Sequence, residues 1–230
     1  MNATDKLAAA LGKYQGSIGR VVDFNSATDK LLPLDLTAAN SELTAELLAD
    51  TKAFGRWIDQ KLAAAEARYA IGGYMEHRTI YSRSAHFNTA DEPRRLHLGI
   101  DIWGNAGTPV YAPIDGVVHS FADNNNFGDY GPTIILQHNV NGLTLFSLYG
   151  HLSRKSLEGP YEGKAVKADE QIATLGADDE NGQWPPHLHF QLMLDNGGMR
   201  GDYPGVGKYS QKEMYVQNIP DPRLLLRFIK

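Results

Sequence analysis

The sequence holds eight histidines and no cysteine. Any transition metal it carries must therefore be held by imidazole and carboxylate, and disulfide scaffolds, thiol nucleophiles, iron–sulfur clusters and cysteine-bearing zinc sites are excluded. Two stretches place histidine in a pattern. In LHLGIDI, Leu96, Leu98, Ile100 and Ile102 alternate with His97, Gly99 and Asp101; in HLHFQLML, Leu188, Phe190, Leu192 and Leu194 alternate with His187, His189 and Gln191. A period of two is that of a strand with one apolar and one polar face, so both strands are expected to present histidines away from the core. Residues two apart on a strand lie roughly 6.5 to 7 Å apart, so His187 and His189 can share a site without binding one ion. Residues four apart lie about 13 Å apart on a straight strand. A metal about 2 Å from both His97 and Asp101 thus requires a bent backbone, and Gly99, midway, permits the bend and leaves room for a cation. Two imidazoles and a carboxylate with a fourth position open to water is the hydrolytic zinc arrangement. Such an ion lowers the pKa of water toward roughly 7 and polarises a carbonyl. The HExxH motif is absent, so a general base must come from elsewhere. His151, in LYGHLS, has the suitable side chain at neutral pH.

The elements that must position these residues divide the chain unevenly. Only Gly12, Gly16, Gly19 and Gly55 precede residue 72. From Asn40 to about Ala70, Leu43, Leu47, Phe54, Ile58, Leu62 and Ala65 recur at three- or four-residue steps, with one longer gap filled in part by Leu48, which predicts one amphipathic helix capped by Asn40 or Ser41. A shorter helix is expected over Thr4 to Leu11, ending at Gly12. From Gly72 onward short apolar runs broken by Gly, Pro, Asn and Asp predict a β domain. Asn141-Gly142 between two β-rich runs predicts a hairpin, and His151 follows its second strand. Further strands are expected at Leu96 to Ile102, Gly116 to Phe121, Gln171 to Leu175 and Leu188 to Leu194. The loops Ala122 to Gly131 and Gly176 to Pro186 are the expected site walls, with Tyr130 and Trp184 as candidate wall residues. Arg94 and Arg95 are expected to be solvated, and His77, His86, His119 and His138 to be structural. The organisation expected is a helical segment over residues 1–71, a β domain holding the candidate zinc site over 72–200, and a tail over 201–230 packed on it.

At HLGID (His97 to Asp101), YGHLS (Tyr149 to Ser153) and HLHF (His187 to Phe190) the chain resembles the lysostaphin-type zinc metalloendopeptidases, also called LytM-like or glycyl-glycine endopeptidases. The resemblance covers roughly Ile71 to Asp195 and includes GTPVYAPIDGVV and TIILQHNVNGLTLFSLYGHLS. Three separated motifs in order with matching spacing make it specific. It implies one Zn²⁺ per chain bound by His97, Asp101 and His189. It also implies that His151 and His187 assist the attacking water and stabilise the tetrahedral intermediate. The implied fold is mainly β, a compact antiparallel sheet or sandwich of the duplicated-hybrid-motif type. The implied substrates are peptides, typically peptidoglycan stem or cross-bridge peptides. Two departures stand out: the approach to HLHF is GQWPPHLHF, and Gln191 stands where Glu is common.

Composition narrows the rest. A formal net charge of −5 argues against a broad nucleic-acid footprint. The chain has no run of the roughly 18 apolar residues that a membrane span needs. The first residues show no basic leader followed by an apolar run, so a cytoplasmic protein is expected, or a periplasmic or extracellular one if a leader has been removed. The function expected is peptide-bond hydrolysis by zinc-activated water. Its rivals are a non-catalytic zinc-binding module that binds peptides or regulates a partner, and a cytoplasmic metallohydrolase acting on small amides.

Overall fold

The computed structural model describes residues 1–229. Twelve strands are formed: β1 (Leu31–Leu34), β2 (Tyr69–Gly72), β3 (Leu96–His97), β4 (Ile100–Trp103), β5 (Pro109–Tyr111), β6 (Gly116–Asn124), β7 (Gly131–Val140), β8 (Leu143–Gly150), β9 (Ala165–Val166), β10 (Gln171–Thr174), β11 (His187–Met193) and β12 (Val206–Gly207). The α-helices are α1 (Ala3–Leu11), α2 (Ala45–Ala49), α3 (Thr51–Ala65) and α4 (Lys212–Asn218). Eight strands make one large sheet in the order β1-β2-β4-β11-β8-β7-β6-β9, and β10-β5 and β12-β3 form two small pairs. The pairings are antiparallel except β1 with β2. The fold is mostly β.

The expected hairpin is β7–β8. Asn141 and Gly142 both take left-handed φ, 51° and 85°, while Val140 pairs with Leu143. Two successive left-handed residues twist a two-residue turn in the hand of the strands it joins, which Asn-Gly allows at least cost. Alternation then sorts side chains between the two faces of the sheet. Ile100, Ile102, Leu188, Phe190 and Leu192 enter the largest apolar cluster, joined by Ile134, Leu136, Leu145 and Tyr149. Asp101, Trp103, His187, His189 and Gln191 therefore lie on the opposite face. They are buried too, because other segments cover them.

Two expectations about the front of the chain change. The helical pattern after Asn40 is broken at Asp50, which is extended (φ −108°, ψ 106°) and caps α3 by accepting from the N–H groups of Lys52 and Ala53; Thr44 caps α2. An Asp carboxylate that satisfies the free N–H groups of a new helix competes with continuation of the old one. Residues 1–71 also supply strands β1 and β2 to the large sheet. β1 contains Pro33, which an edge strand tolerates because its missing N–H faces outward. α1 buries Leu7 in the main cluster with Leu225 and Leu226 of the tail. α2 and α3 pack Leu48, Phe54 and Ile58 against Trp103, Trp184, Tyr81 and Phe87, so they form a layer over the histidine-bearing face.

Candidate metal centre

The register of β11 against β4 puts His189 opposite Asp101 and His187 opposite Trp103. Side chains directly opposite on one face are the closest cross-strand neighbours. Imidazole therefore meets carboxylate in the first pair, and in the second the His187 ring stacks on the Trp103 indole, with centroids 3.9 Å apart at 19°. His97 arrives by the expected bend. The strand is interrupted between His97 and Ile100, and His97 pairs instead with Val206 of β12. A Cβ on Gly99 would lie 2.7 Å from both His189 Nε2 and the Phe190 carbonyl oxygen, so the bend closes only around a glycine.

The three polar groups converge. His97 Nε2 is 2.9 Å from His189 Nδ1, and each of these nitrogens is 3.1 Å from Asp101 Oδ1. Their outer partners determine which nitrogen carries hydrogen. His97 Nδ1 faces the Gly73 carbonyl at 2.8 Å, an acceptor only, so Nδ1–H donates there and Nε2 keeps a lone pair. His189 Nε2 faces Gln191 Oε1 at 3.0 Å, and Gln191 Nε2 donates to the Pro204 carbonyl, which orients the amide. His189 Nδ1 thus also keeps a lone pair. Burial, then Arg78, pushes His97 down to about 3, against the upward pull of Asp101, so His97 brings no second proton to the group at neutral pH. Three lone-pair atoms about 3 Å apart with no hydrogen between them repel one another unless a cation lies among them. A tetrahedral ion with bonds of about 2.0–2.1 Å places its ligands roughly 3.3 Å apart, close to the observed triangle. The donor set of two imidazole nitrogens and one carboxylate oxygen fits zinc.

Asp101 is held ionised. Burial works against its charge, but His97, Arg78 and His187 outweigh it and keep the carboxyl well below its usual range. Arg78, itself wholly buried, donates through Nη1 to Asp101 Oδ2.

Two further imidazoles stand beside the group. His187 Nε2 is 3.9 Å from Asp101 Oδ1, and its Nδ1–H donates to the Pro185 carbonyl at 2.8 Å. His151 donates from Nδ1 to the Asn181 carbonyl at 2.8 Å. Both rings therefore keep Nε2 as a free acceptor, and their centroids are 4.0 Å apart. Burial pushes His187 down to about 4 despite Asp101; burial and then the His187 ring push His151 well below its usual value. His151 has a left-handed φ of 62° just past the end of β8, and its N–H is held by the Tyr130 carbonyl at 2.8 Å. Such strain persists only where surrounding bonds enforce it.

The structure brings together all five histidine and aspartate positions singled out in the sequence. Asp101, His151, His187 and His189 line a cavity of about 180 Å³ walled by Tyr81, Phe87, Trp103, Tyr130 and Trp184, and His97 is fully buried behind them. Both expected loops contribute, through Tyr130 and Trp184. Two expectations change: His86 and Arg94 also line the cavity, tied to each other by a hydrogen bond from the Arg94 guanidinium to the His86 carbonyl. Sequence reasoning missed Arg78 and Tyr81. Arg78 sits in irregular backbone before β3 and Tyr81 in a single 3-10 turn, Ile80–Arg83, too short for any periodicity to mark it.

Residues 95–200 match Peptidase family M23. An uncharacterized metalloprotease of Haemophilus influenzae is 34% identical over 138 residues, covering 57% of this chain and 27% of that protein. The DD-carboxypeptidase/endopeptidase Mpg of Neisseria meningitidis is 34% identical over 129 residues, covering 54% and 27%. The peptidoglycan DD-endopeptidase ShyC of Vibrio cholerae is 31% identical over 121 residues, covering 49% and 24%. The chain spans about a quarter of the length of these relatives. Among solved structures, the catalytic domain of lysostaphin from Staphylococcus simulans aligns over 75% of this chain and 97% of that one at 24% identity, with a TM-score of 0.44. Residues 95–200, which include the HLGID, YGHLS and HLHF segments, are the stretch that matches peptidase family M23.

Proposed function

We propose that the chain is a zinc-dependent metalloendopeptidase that hydrolyses peptide bonds in peptidoglycan stem or cross-bridge peptides. The observation that carries this reading is the convergence of His97 Nε2, His189 Nδ1 and Asp101 Oδ1 as three lone-pair donors with their protons directed elsewhere. The M23 match supports peptidase chemistry, and relatives named as peptidoglycan DD-endopeptidases support the substrate class. A wall-derived substrate goes with action in the periplasm or outside the cell.

Bound by His97, Asp101 and His189, zinc would supply Lewis acidity toward a peptide carbonyl and acidify water toward a pKa of about 7. The chain's own groups do the rest. His151 Nε2, its ring fixed by the Asn181 carbonyl, accepts a proton from the attacking water. The proton that His151 takes up is the one that reaches the leaving amine: His187 Nε2, held by the Trp103 stack and the Pro185 carbonyl, receives it from the ring 4.0 Å away and, once protonated, donates to the developing charge and then to the amine. The aromatic walls exclude bulk water, which strengthens each of these interactions.

The test is a digestion of defined peptidoglycan peptides and of small amides by the zinc-loaded protein, followed by mass spectrometry. Cleavage of an internal peptide bond supports the proposal. Cleavage of small amides alone would move the reading to a small-amide hydrolase. Peptide binding without cleavage would move it to a binding module, and a protein that takes up no zinc would end the metal reading altogether.

A further inference from the structure

Arg78 is wholly buried and uses its guanidinium on four acceptors at once. Nε donates to Glu76 Oε2 at 2.7 Å, Nη1 to Asp101 Oδ2 and to the Tyr81 hydroxyl at 3.2 Å, and Nη2 to the Gly73 carbonyl at 3.3 Å. The same carbonyl accepts from His97 Nδ1, so one side chain touches Asp101 directly and His97 through its outer partner. A planar fork held at several points cannot rotate away from the carboxylate.

We propose that Arg78 makes Asp101 a one-oxygen ligand and thereby sets the coordination number, and with it the choice of metal, at this centre. This rests on the zinc reading above. A carboxylate can offer an ion one oxygen or two. Here Oδ2 is occupied by the guanidinium, and only Oδ1 faces His97 and His189. Two nitrogens and a single oxygen with few ligands in all suit Zn²⁺. Mn²⁺ prefers more oxygen donors and higher coordination. The Glu76 carboxylate beside Nε offsets the charge of the arginine, so the cation can sit close to a metal site. The backbone makes room for it as well: Gly72 pairs with Asp101 across β2 and β4, and a Cβ at Gly72 would run into Arg78 Nη2. Arg78 and Gly72 both precede the stretch that matches the peptidase family. Residues outside that stretch would thus decide which ion the centre prefers.

The test compares full-length wild type with Arg78→Met and Gly72→Ala in competition between Zn²⁺ and Mn²⁺, and records the visible spectrum of each protein loaded with Co²⁺. Loss of a positive charge raises the affinity for both divalent ions alike and cancels in their ratio. Freeing Oδ2 does not cancel. The preference for Zn²⁺ over Mn²⁺ should fall about tenfold or more, the scale of effect expected from groups that orient ligands. The Co²⁺ absorption should weaken as the coordination number rises. Gly72→Ala keeps every charge and displaces only the guanidinium; it should move both readouts the same way, and it decides the matter if Arg78→Met does not fold. An unchanged ion ratio together with an unchanged Co²⁺ spectrum in the folded variant overturns the proposal. Wild type that binds neither Zn²⁺ nor Co²⁺ overturns the zinc reading itself, and this inference with it.

Discussion

Two groups of buried histidine, His138 on β7 and the pair His189 on β11 and His97 on β3, differ in where their second ring nitrogen points. His138 of β7 is 3% exposed. Its Nδ1 donates to the Asp115 carbonyl at 2.9 Å, and its Nε2 accepts from the Ser147 hydroxyl at 2.7 Å, which is bonded in turn to Tyr149 at 3.0 Å. Every polar atom of that ring has a protein partner. His97 and His189 are as buried, and each has one nitrogen satisfied in the same manner, yet their second nitrogens point at each other and at a carboxylate oxygen. Burial and a depressed pKa are common to His138 and His97 and so do not distinguish structure from chemistry. The direction of the unsatisfied lone pairs does.

The largest expected effect breaks this contrast outright. His189→Ala should leave the chain without tightly bound zinc and lower peptide cleavage roughly a thousandfold or more, since the ion's several kcal/mol of stabilisation is lost with it. His138→Ala should retain about one zinc per chain in the same metal analysis. Equal zinc in the two variants would remove the distinction between the two groups. His151→Ala comes next: zinc retained, cleavage slower by about 10²- to 10⁴-fold, the range for a positioned acid–base group. Parallel loss of zinc and cleavage in that variant would make His151 part of the metal-holding set instead.

The third effect belongs to the satisfied histidine. Burial pushes His138 down to about 4 from 6.5, against the Asp115 carbonyl and charge. Because the folded pKa is depressed, the unfolded chain takes the proton first as pH falls. Stability from this group is complete above about pH 6.5 and is lost progressively toward about pH 4, by roughly 3 kcal/mol in all. Denaturant titrations at pH 7 and pH 4.5 should show that loss in wild type and a smaller one in His138→Gln. An identical acid loss in both would assign it to other groups. The smallest effect is at the hairpin that joins the strands: Gly142→Ala, at φ 85°, should cost about 1 kcal/mol of stability. It should leave zinc content and cleavage unaltered, and a change in either would mean that the β7–β8 turn transmits to the centre.

Much of the site was legible in the residues themselves. Alternation in LHLGIDI and HLHFQLML placed His97, Asp101, His187 and His189 off the core face, and Gly99 was the expected bend. What escaped notice came from segments without a period. Arg78 lies in irregular backbone and Tyr81 in one short 3-10 turn, and the Gly73 carbonyl that orients both His97 and Arg78 is a main-chain atom that no side-chain pattern reveals. β1 escaped because Leu31–Leu34 carries Pro33 and is a strand only through its pairing with β2. The break at Asp50 escaped because a helical stripe continues through it, and the cap is seen only once its bonds to Lys52 and Ala53 are formed.

The sequence by itself determined which residues could do chemistry here and which face of each strand they would take, because a strand's period of two is a property of local backbone geometry. Only the tertiary structure decided that His189 stands opposite Asp101, that His97 meets His189 across 92 residues of chain, and that Arg78 claims the second carboxylate oxygen. Register, ring tautomer and carboxylate availability depend on partners supplied by distant segments, and those partners exist only after the chain has closed on itself.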